Sequence, residues 1–284
     1  MDEWSTDEAR LPWDADWEPV RLVGAGGNSN VYEVVDAAGD WSAVKVLSRR
    51  PGGFLEAKAE FDMTKAAGAV SPAVVRVFGV GVLSDERAYI RMELLVGRTL
   101  AEAWSVRRNP KSACRSVAAV ARAVHPAHEA GLIHCDLKPE NIFVESSGRI
   151  RLLDFGFSRD GAEEAEFSGT LHSTAPELLV SEQVQPTPQS DIYSLGAVLY
   201  EGLCGVRPFA GATYPAVLLA IHAGALVDVK VHAPRLREQY AQIVRRAMHH
   251  DPAKRFASMA EMADALDEAS SEDREAPPPP SLRP

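Results

Sequence analysis

In HCDLKPEN (His134–Asn141) an aspartate, a lysine and an asparagine follow one another closely along the chain. Asp136 can accept the proton of an attacking hydroxyl, Lys138 can neutralise a moving phosphoryl group, and Asn141 can ligate a metal. Further on, LLDFG presents Asp154 after an apolar strand, where a carboxylate for Mg²⁺ should be presented. Taken singly, each acid reads as a surface residue or a cap. In this order and spacing they read as one apparatus for moving a phosphoryl group.

Two upstream features belong with it. GAGGNSNV (Gly24–Val31) lies between two strand candidates, and its glycines let backbone N–H groups approach a phosphate with no Cβ in the way. No Lys-Ser or Lys-Thr follows at the distance a Walker loop needs, and a strand rather than a helix comes next, which excludes a Rossmann fingerprint. Alone, such a loop could be a simple hairpin turn. AVKV then places Lys45 inside an apolar strand, as a candidate cation for nucleotide phosphates. Such a lysine must be held by an acid, and the next helix offers Glu56 and Glu60, one turn apart on one face. Glu60 is favoured, because the residue a turn later is then Thr64, which can pack inward.

The elements that position these residues can be read from pattern. Strands separated by turns are expected at WEPVRLV, NVYEVVD and WSAVKVL, with AAGD as a turn. A helix is expected over Phe54–Ala67, ended by Gly68, followed by β-rich AVVRVFGVGV and RAYIRMELL. Beyond Gly97 the texture becomes helical, over Leu100–Trp104, Ser112–Ala130, Asp191–Cys204, Ala216–Ala223, Arg237–His249 and Met259–Ala269. Pro126 should kink or end the second of these. The fold class expected is α+β and bilobal: a small antiparallel β-sheet lobe with one helix, then a larger, mainly α-helical lobe. Residues 1–16 read as an acidic tail pinned by Trp13 or Trp17. Residues 17–269 read as one domain, with lobes at 17–95 and 96–269. SSEDREAPPPPSLRP (270–284) reads as a disordered polyproline-II linker.

Composition narrows the function classes. A net charge of −10 argues against nucleic-acid binding, which needs a basic footprint. The three cysteines (Cys114, Cys135, Cys204) are far apart and lack zinc spacing, which suits a reducing cytoplasm. The acidic N-terminus lacks the apolar centre of a signal peptide, and no apolar run is long enough to span a bilayer, so a soluble protein is expected.

Taken together, these motifs resemble the signature set of Hanks-type protein kinases of the bacterial serine/threonine class. The resemblance continues through GTLHSTAPE (Gly169–Glu177), SDIYSLGAVLYE (Ser190–Glu201) and DPAKRF (Asp251–Phe256), and covers roughly Trp17 to Leu266. It implies ATP and Mg²⁺ as cofactors and protein serine or threonine hydroxyls as acceptors, with the substrate proteins unidentified. A second copy of the chain, as a homodimer or an autophosphorylation partner, is also implied. By the same resemblance Gly24, Gly26 and Gly27 cover the phosphates, and Val23 and Ser29 belong to the same nucleotide-binding loop. Lys45 grips the α- and β-phosphates and pairs with Glu60. Val31, Ala43 and Phe143 sandwich adenine, Met92 is the gatekeeper, and the backbone of Glu93 and Leu95 holds the base. Asp136 is the catalytic base assisted by Lys138, and Asn141 and Asp154 are the metal ligands. Glu177 pairs with Arg255, and Asp191 braces the catalytic loop.

Three residues depart from the family pattern. Ser29 replaces the third glycine, and Phe143 is larger than the usual leucine under adenine. Cys135 stands where an arginine normally receives an activation-segment phosphate, which implies activity without that phosphate. Arg159 remains as a basic partner, and Glu163, Glu164 and Glu166 supply negative charge. Two other readings compete. A pseudokinase scaffold would lack at least one of Lys45, Asp136, Asn141 and Asp154, and all are present. A small-molecule phosphotransferase would lack the GTxxxxAPE segment that docks a peptide.

Overall fold

The computed structural model describes residues 17–106, 109–155, 170–181, 183–209, 211 and 213–275. The first lobe is built on β1 (Trp17–Ala25), β2 (Ser29–Asp36), β3 (Trp41–Leu47), β4 (Val77–Val82) and β5 (Ala88–Met92), with α1 (Gly53–Val70) between β3 and β4. The strands form an antiparallel sheet of order β1-β2-β3-β5-β4. Strand alternation decides where Lys45 points. Val44 and Val46 face one way with Tyr32 and Val34, whereas Ala43, Lys45 and Leu47 face the other way. There Ala43 and Leu47 pack with Ala57 of α1, Ile90 and Met92. The β2–β3 turn is closed by Asp36, whose Oδ1 accepts from the N–H groups of Ala38 and Asp40, with Gly39 at φ +86°.

Helix α1 does not stop at Gly68. It runs to Val70, and the stop is Ser71, whose backbone is extended and whose N–H donates to Ala67 O at 2.9 Å. Gly68 meets nothing within 4 Å and keeps a negative φ, so it costs helix stability, about 1 kcal/mol relative to alanine, without breaking the helix. Ser71 Oγ donates to Ala123 O at 2.7 Å, tying the end of α1 to the second lobe.

The second lobe begins with β6 (Gly97–Thr99), α2 (Leu100–Val106) and α3 (Pro110–Glu129), followed by β7 (Ile142–Glu145) and β8 (Ile150–Leu152). These three strands form a small antiparallel sheet, β6-β7-β8. Asn109 caps α3 by accepting from Lys111 N–H, with Pro110 in the first turn. The early end expected at Pro126 does not occur, and α3 continues to Glu129. Pro126 lies in the last turn, so it removes one donor where little helix remains, and the chain leaves through Gly131 at φ +76°.

Then come α4 (Thr170–Ser173), α5 (Pro188–Cys204), α6 (Tyr214–His222), α7 (Val229–His232), α8 (Glu238–Ala247) and α9 (Met259–Glu275). Helix α5 is the lobe's axis, buried without interruption from Ser190 to Tyr200. Gly202 lets it approach its neighbours closely, since a Cβ there would sit 2.8 Å from Ala113 Cβ and from the Trp104 ring. The last helix extends to Glu275, six residues beyond the domain end expected from sequence. Trp13 and the residues beyond Glu275 lie outside the described residues. Trp17 opens β1, and its ring meets Tyr89 edge-on at 5.0 Å.

Candidate active site

Between the lobes the structure gathers what the sequence separates. Lys45 Nζ lies 2.8 Å from Glu60 Oε1 and 3.0 Å from Asp154 Oδ2. Glu56, the alternative acid, is paired with Arg50 instead. Thr64 does point inward; it is buried and its Oγ1 donates to Phe155 O at 3.4 Å. Desolvation works against the Lys45 ammonium, but Asp154 and Glu60 outweigh it and hold its pKa above the ordinary lysine value. Burial pushes the Glu60 carboxyl up, to about 7, with Lys45 pulling the other way. One buried cation thus serves two carboxylates, and the group as a whole has room for more positive charge.

The catalytic-loop candidates meet a few residues away. Asp136 Oδ2 accepts from Asn141 Nδ2 at 2.7 Å and from Lys138 Nζ at 2.9 Å. Asn141 Nδ2 also donates to Asp136 O at 2.9 Å, which leaves its carbonyl Oδ1 as an acceptor. Asp136 Oδ1 is buried with no partner. A buried carboxylate oxygen left over in this way is what a base awaiting a hydroxyl proton requires. Asn141 Oδ1 and the Asp154 carboxylate are hard oxygen donors, so the set fits Mg²⁺.

The loop is held in a strained shape from below. Cys135 has φ +69° and Asp154 φ +51°, in the left-handed region that side chains disfavour. Asp191, in the first turn of α5, accepts from His134 N–H at 2.7 Å and Cys135 N–H at 2.9 Å, and its Oδ2 also meets His128 Nε2 at 2.8 Å. His134 is fully buried, packs on the Phe155 ring at 4.4 Å, and is held below the usual histidine pKa by desolvation.

The remaining candidates lie on β1, β2, β3, β5 and β7 or in the segments that join them. Gly24 and Ala25 end β1, Gly26 N–H donates to Ser29 O at 2.9 Å, and Gly27 lies in the turn before β2. Val23 is partly exposed on β1. Val31, Ala43, Met92, Leu95 and Leu153 share one apolar cluster. Phe143, on β7, faces Gly97, where a Cβ would come within 2.9 Å of its ring and 2.1 Å of Val144 O. Only glycine fits there, a constraint the sequence does not announce. Arg159, Glu163, Glu164, Glu166, Ser158 and Ser168 lie outside the described residues.

Glu177 and Arg255 form the expected bidentate pair, at 2.7 and 2.8 Å. Sequence reasoning missed His128 and Arg151. The first sits in a helix of ordinary amphipathic spacing, and the second lies between two apolar residues of a strand, where alternation assigns it to solvent; both are buried or nearly so.

The protein kinase domain family matches residues 17–266. Similar chains include the serine/threonine-protein kinase PknA of Mycobacterium tuberculosis, 32% identical over 268 residues, covering 87% of this chain and 59% of PknA. The serine/threonine-protein kinase PrkC of Bacillus subtilis is 28% identical, covering 91% of this chain and 41% of PrkC. The chain thus spans about 59% of PknA's length and less of PrkC's. Among solved structures, a crystal structure of Rad53 (1-466) in complex with AMP-PNP superposes with a TM-score of 0.69 at 25% identity, over 90% of this chain and 65% of that one. With the bilobal fold and the catalytic-loop motifs, these matches establish that the chain belongs to the protein kinase family, in its Hanks-type bacterial serine/threonine class.

Proposed function

We propose that residues 17–269 form a catalytic domain that transfers the γ-phosphoryl group of ATP to serine or threonine hydroxyls of protein acceptors. The observation that carries this reading is the orphaned Asp136 Oδ1, held beside Lys138 and Asn141 and served by the separate Lys45–Glu60–Asp154 group. Oδ1 accepts the hydroxyl proton as the oxygen attacks the γ-phosphorus and ADP departs. Lys138 offsets charge on the moving group. Lys45 binds the α- and β-phosphates, and Glu60 keeps it aimed. Asn141 Oδ1 and Asp154 would hold Mg²⁺, which supplies charge neutralisation on the phosphate oxygens when bound. Gly24, Gly26 and Gly27 cover the phosphates, with Val23 and Ser29 in the same loop, Val31, Ala43 and Phe143 enclose adenine, Met92 is the gatekeeper, and the Glu93 and Leu95 backbone holds the base.

Cys135 bears on control. An arginine in its place would need a phosphate on the activation segment to offset its charge. The neutral thiol creates no such need. We infer a kinase active without that modification. None of the three cysteines is in a disulfide, and no described helix is long and apolar enough to cross a membrane. Both are in keeping with the cytoplasmic location we propose.

The test is incubation of the chain with Mg²⁺-ATP, with and without a serine/threonine-rich protein acceptor, followed by mass spectrometry. Phosphoserine or phosphothreonine on either protein is expected. ATP hydrolysis or binding with no phosphoprotein would overturn the reading.

A further inference from the structure

Arg151 lies on β8 and is only 7% exposed. Its guanidinium nevertheless donates in every direction. Nε reaches Ala73 O at 3.3 Å and Nη2 reaches Val74 O at 3.1 Å. Nη2 also bonds Glu93 Oε1, while Nη1 reaches Glu145 Oε1 at 3.0 Å and Glu93 Oε2 at 3.4 Å. The acceptors come from three places: the turn after α1, the segment leaving β5, and β7. One side chain thus ties the first lobe, the connection between lobes and the second lobe together.

Glu93 is fixed from the other side as well. Its N–H donates to Arg76 O at 2.9 Å, and its Oε1 accepts from Arg76 N–H at 2.7 Å. Behind it, Val75 N–H donates to Leu152 O at 2.9 Å and Leu152 N–H to Ala73 O at 2.8 Å. The Glu93 side chain is therefore engaged by Arg76 and Arg151, while Met92 and Leu95 belong to the apolar cluster of Ala43 and Ile90. Without Arg151 the Glu93 and Glu145 carboxylates would share no cation, and two carbonyls would lose a donor. The Arg151 guanidinium also holds the Glu145 carboxyl below its usual range. A lysine could meet one or two of these acceptors but lacks the planar fork that reaches all three regions.

We propose that Arg151 is a positioning residue for nucleotide binding: by gripping Glu93 from behind, it fixes the backbone from Glu93 to Leu95 at the edge where adenine binds. This rests on the nucleotide site proposed above. An interaction that orders the base-binding edge, but touches neither the phosphates nor the hydroxyl, should act on ATP affinity and leave the chemical step alone.

The test compares the wild type, Arg151→Gln and Arg151→Lys in steady-state kinetics with ATP varied, and with magnesium tripolyphosphate as a competitor that carries no base. Arg151→Gln should raise KM for ATP about tenfold with kcat within about twofold, and Arg151→Lys should fall between it and the wild type. The tripolyphosphate inhibition constant should not move. An unchanged KM, an equal loss for ATP and tripolyphosphate, or a fall in kcat alone would overturn the inference while leaving the nucleotide site standing. A wild type that shows no ATP saturation would overturn the site and this inference together. If Arg151→Gln does not fold, a folded Arg151→Lys with wild-type KM overturns the inference by itself.

Discussion

Two ion-pair centres, one in the cleft and one at the base of the second lobe, are built to opposite specifications. Arg255 has five N–H donors and all five are used: on Glu177 twice, and on the carbonyls of His249, Gln189 and His250. Its face also lies 4.8 Å over the Tyr193 ring, and its side chain is 0% exposed. In the cleft, by contrast, one lysine is shared by two carboxylates, and Asp136 keeps a buried oxygen with nothing bound to it. A satisfied centre stabilises a shape. A centre left short of partners is prepared for something not yet there.

The contrast is broken most sharply by substitutions in the cleft. Lys45→Met, Asp136→Asn and Asp154→Asn should each lower phosphotransfer about 10³-fold, within the range of positioned acid–base and electrostatic groups, while circular dichroism still reports a folded protein. Asp154→Asn should in addition weaken Mg²⁺-dependent ATP binding, measurable by calorimetry. A cleft variant that instead unfolded the protein would erase the distinction between the two centres.

Arg255→Ala should do the reverse. Removing the cation leaves Glu177 facing a closed site, at a cost of about 3 kcal/mol, the low end for a buried pair because Glu177 remains 21% exposed. Urea denaturation measures it, and the residual folded fraction should keep its turnover. An Arg255→Ala protein of full stability and no activity would place that pair on the catalytic side of the comparison.

A smaller effect is expected from the activation segment. Ser158→Ala, Ser168→Ala, or phosphatase treatment checked by intact mass, should slow the reaction by less than about tenfold, or 1.4 kcal/mol. Silence that is reversed only by phosphorylating the segment would show that Cys135 has not freed the site from that control. Smallest of all, Lys58→Ala removes a solvent-exposed pair with Asp62 on α1 and should change stability by less than about 0.5 kcal/mol. A larger loss on thermal melting would mean that exposed pairs count here as buried ones do.

Most of the cleft was legible because its residues lie in short runs whose chemistry is local. Asp136, Lys138 and Asn141 are near neighbours in sequence, and Lys45 announces itself as a charge inside an apolar strand. The choice of Glu60 over Glu56 followed from helical spacing and the inward Thr64, and the structure shows that contact. Helix ends were less legible. Gly68 and Pro126 carry helix-breaking propensities of at most a few kcal/mol, and tertiary packing of α1 and α3 overrides them. Gly97, His128 and Arg151 were invisible because their roles are set by what folds against them. Gly97 is fixed by β7 across the small sheet, and Arg151 by acceptors from three separate segments. Alternation sends a strand arginine to solvent, and only the assembled connection between the lobes shows why this one is buried.

The most direct measurement is transfer of labelled γ-phosphate from Mg²⁺-ATP to a serine/threonine-rich acceptor by the wild type and by Asp136→Asn, with ATP affinity determined in parallel. The wild type should label the acceptor, and Asp136→Asn should bind ATP comparably yet transfer at no more than about one hundredth of the rate, since its role lies at the hydroxyl. Asp136→Asn turning over at the wild-type rate would contradict the account.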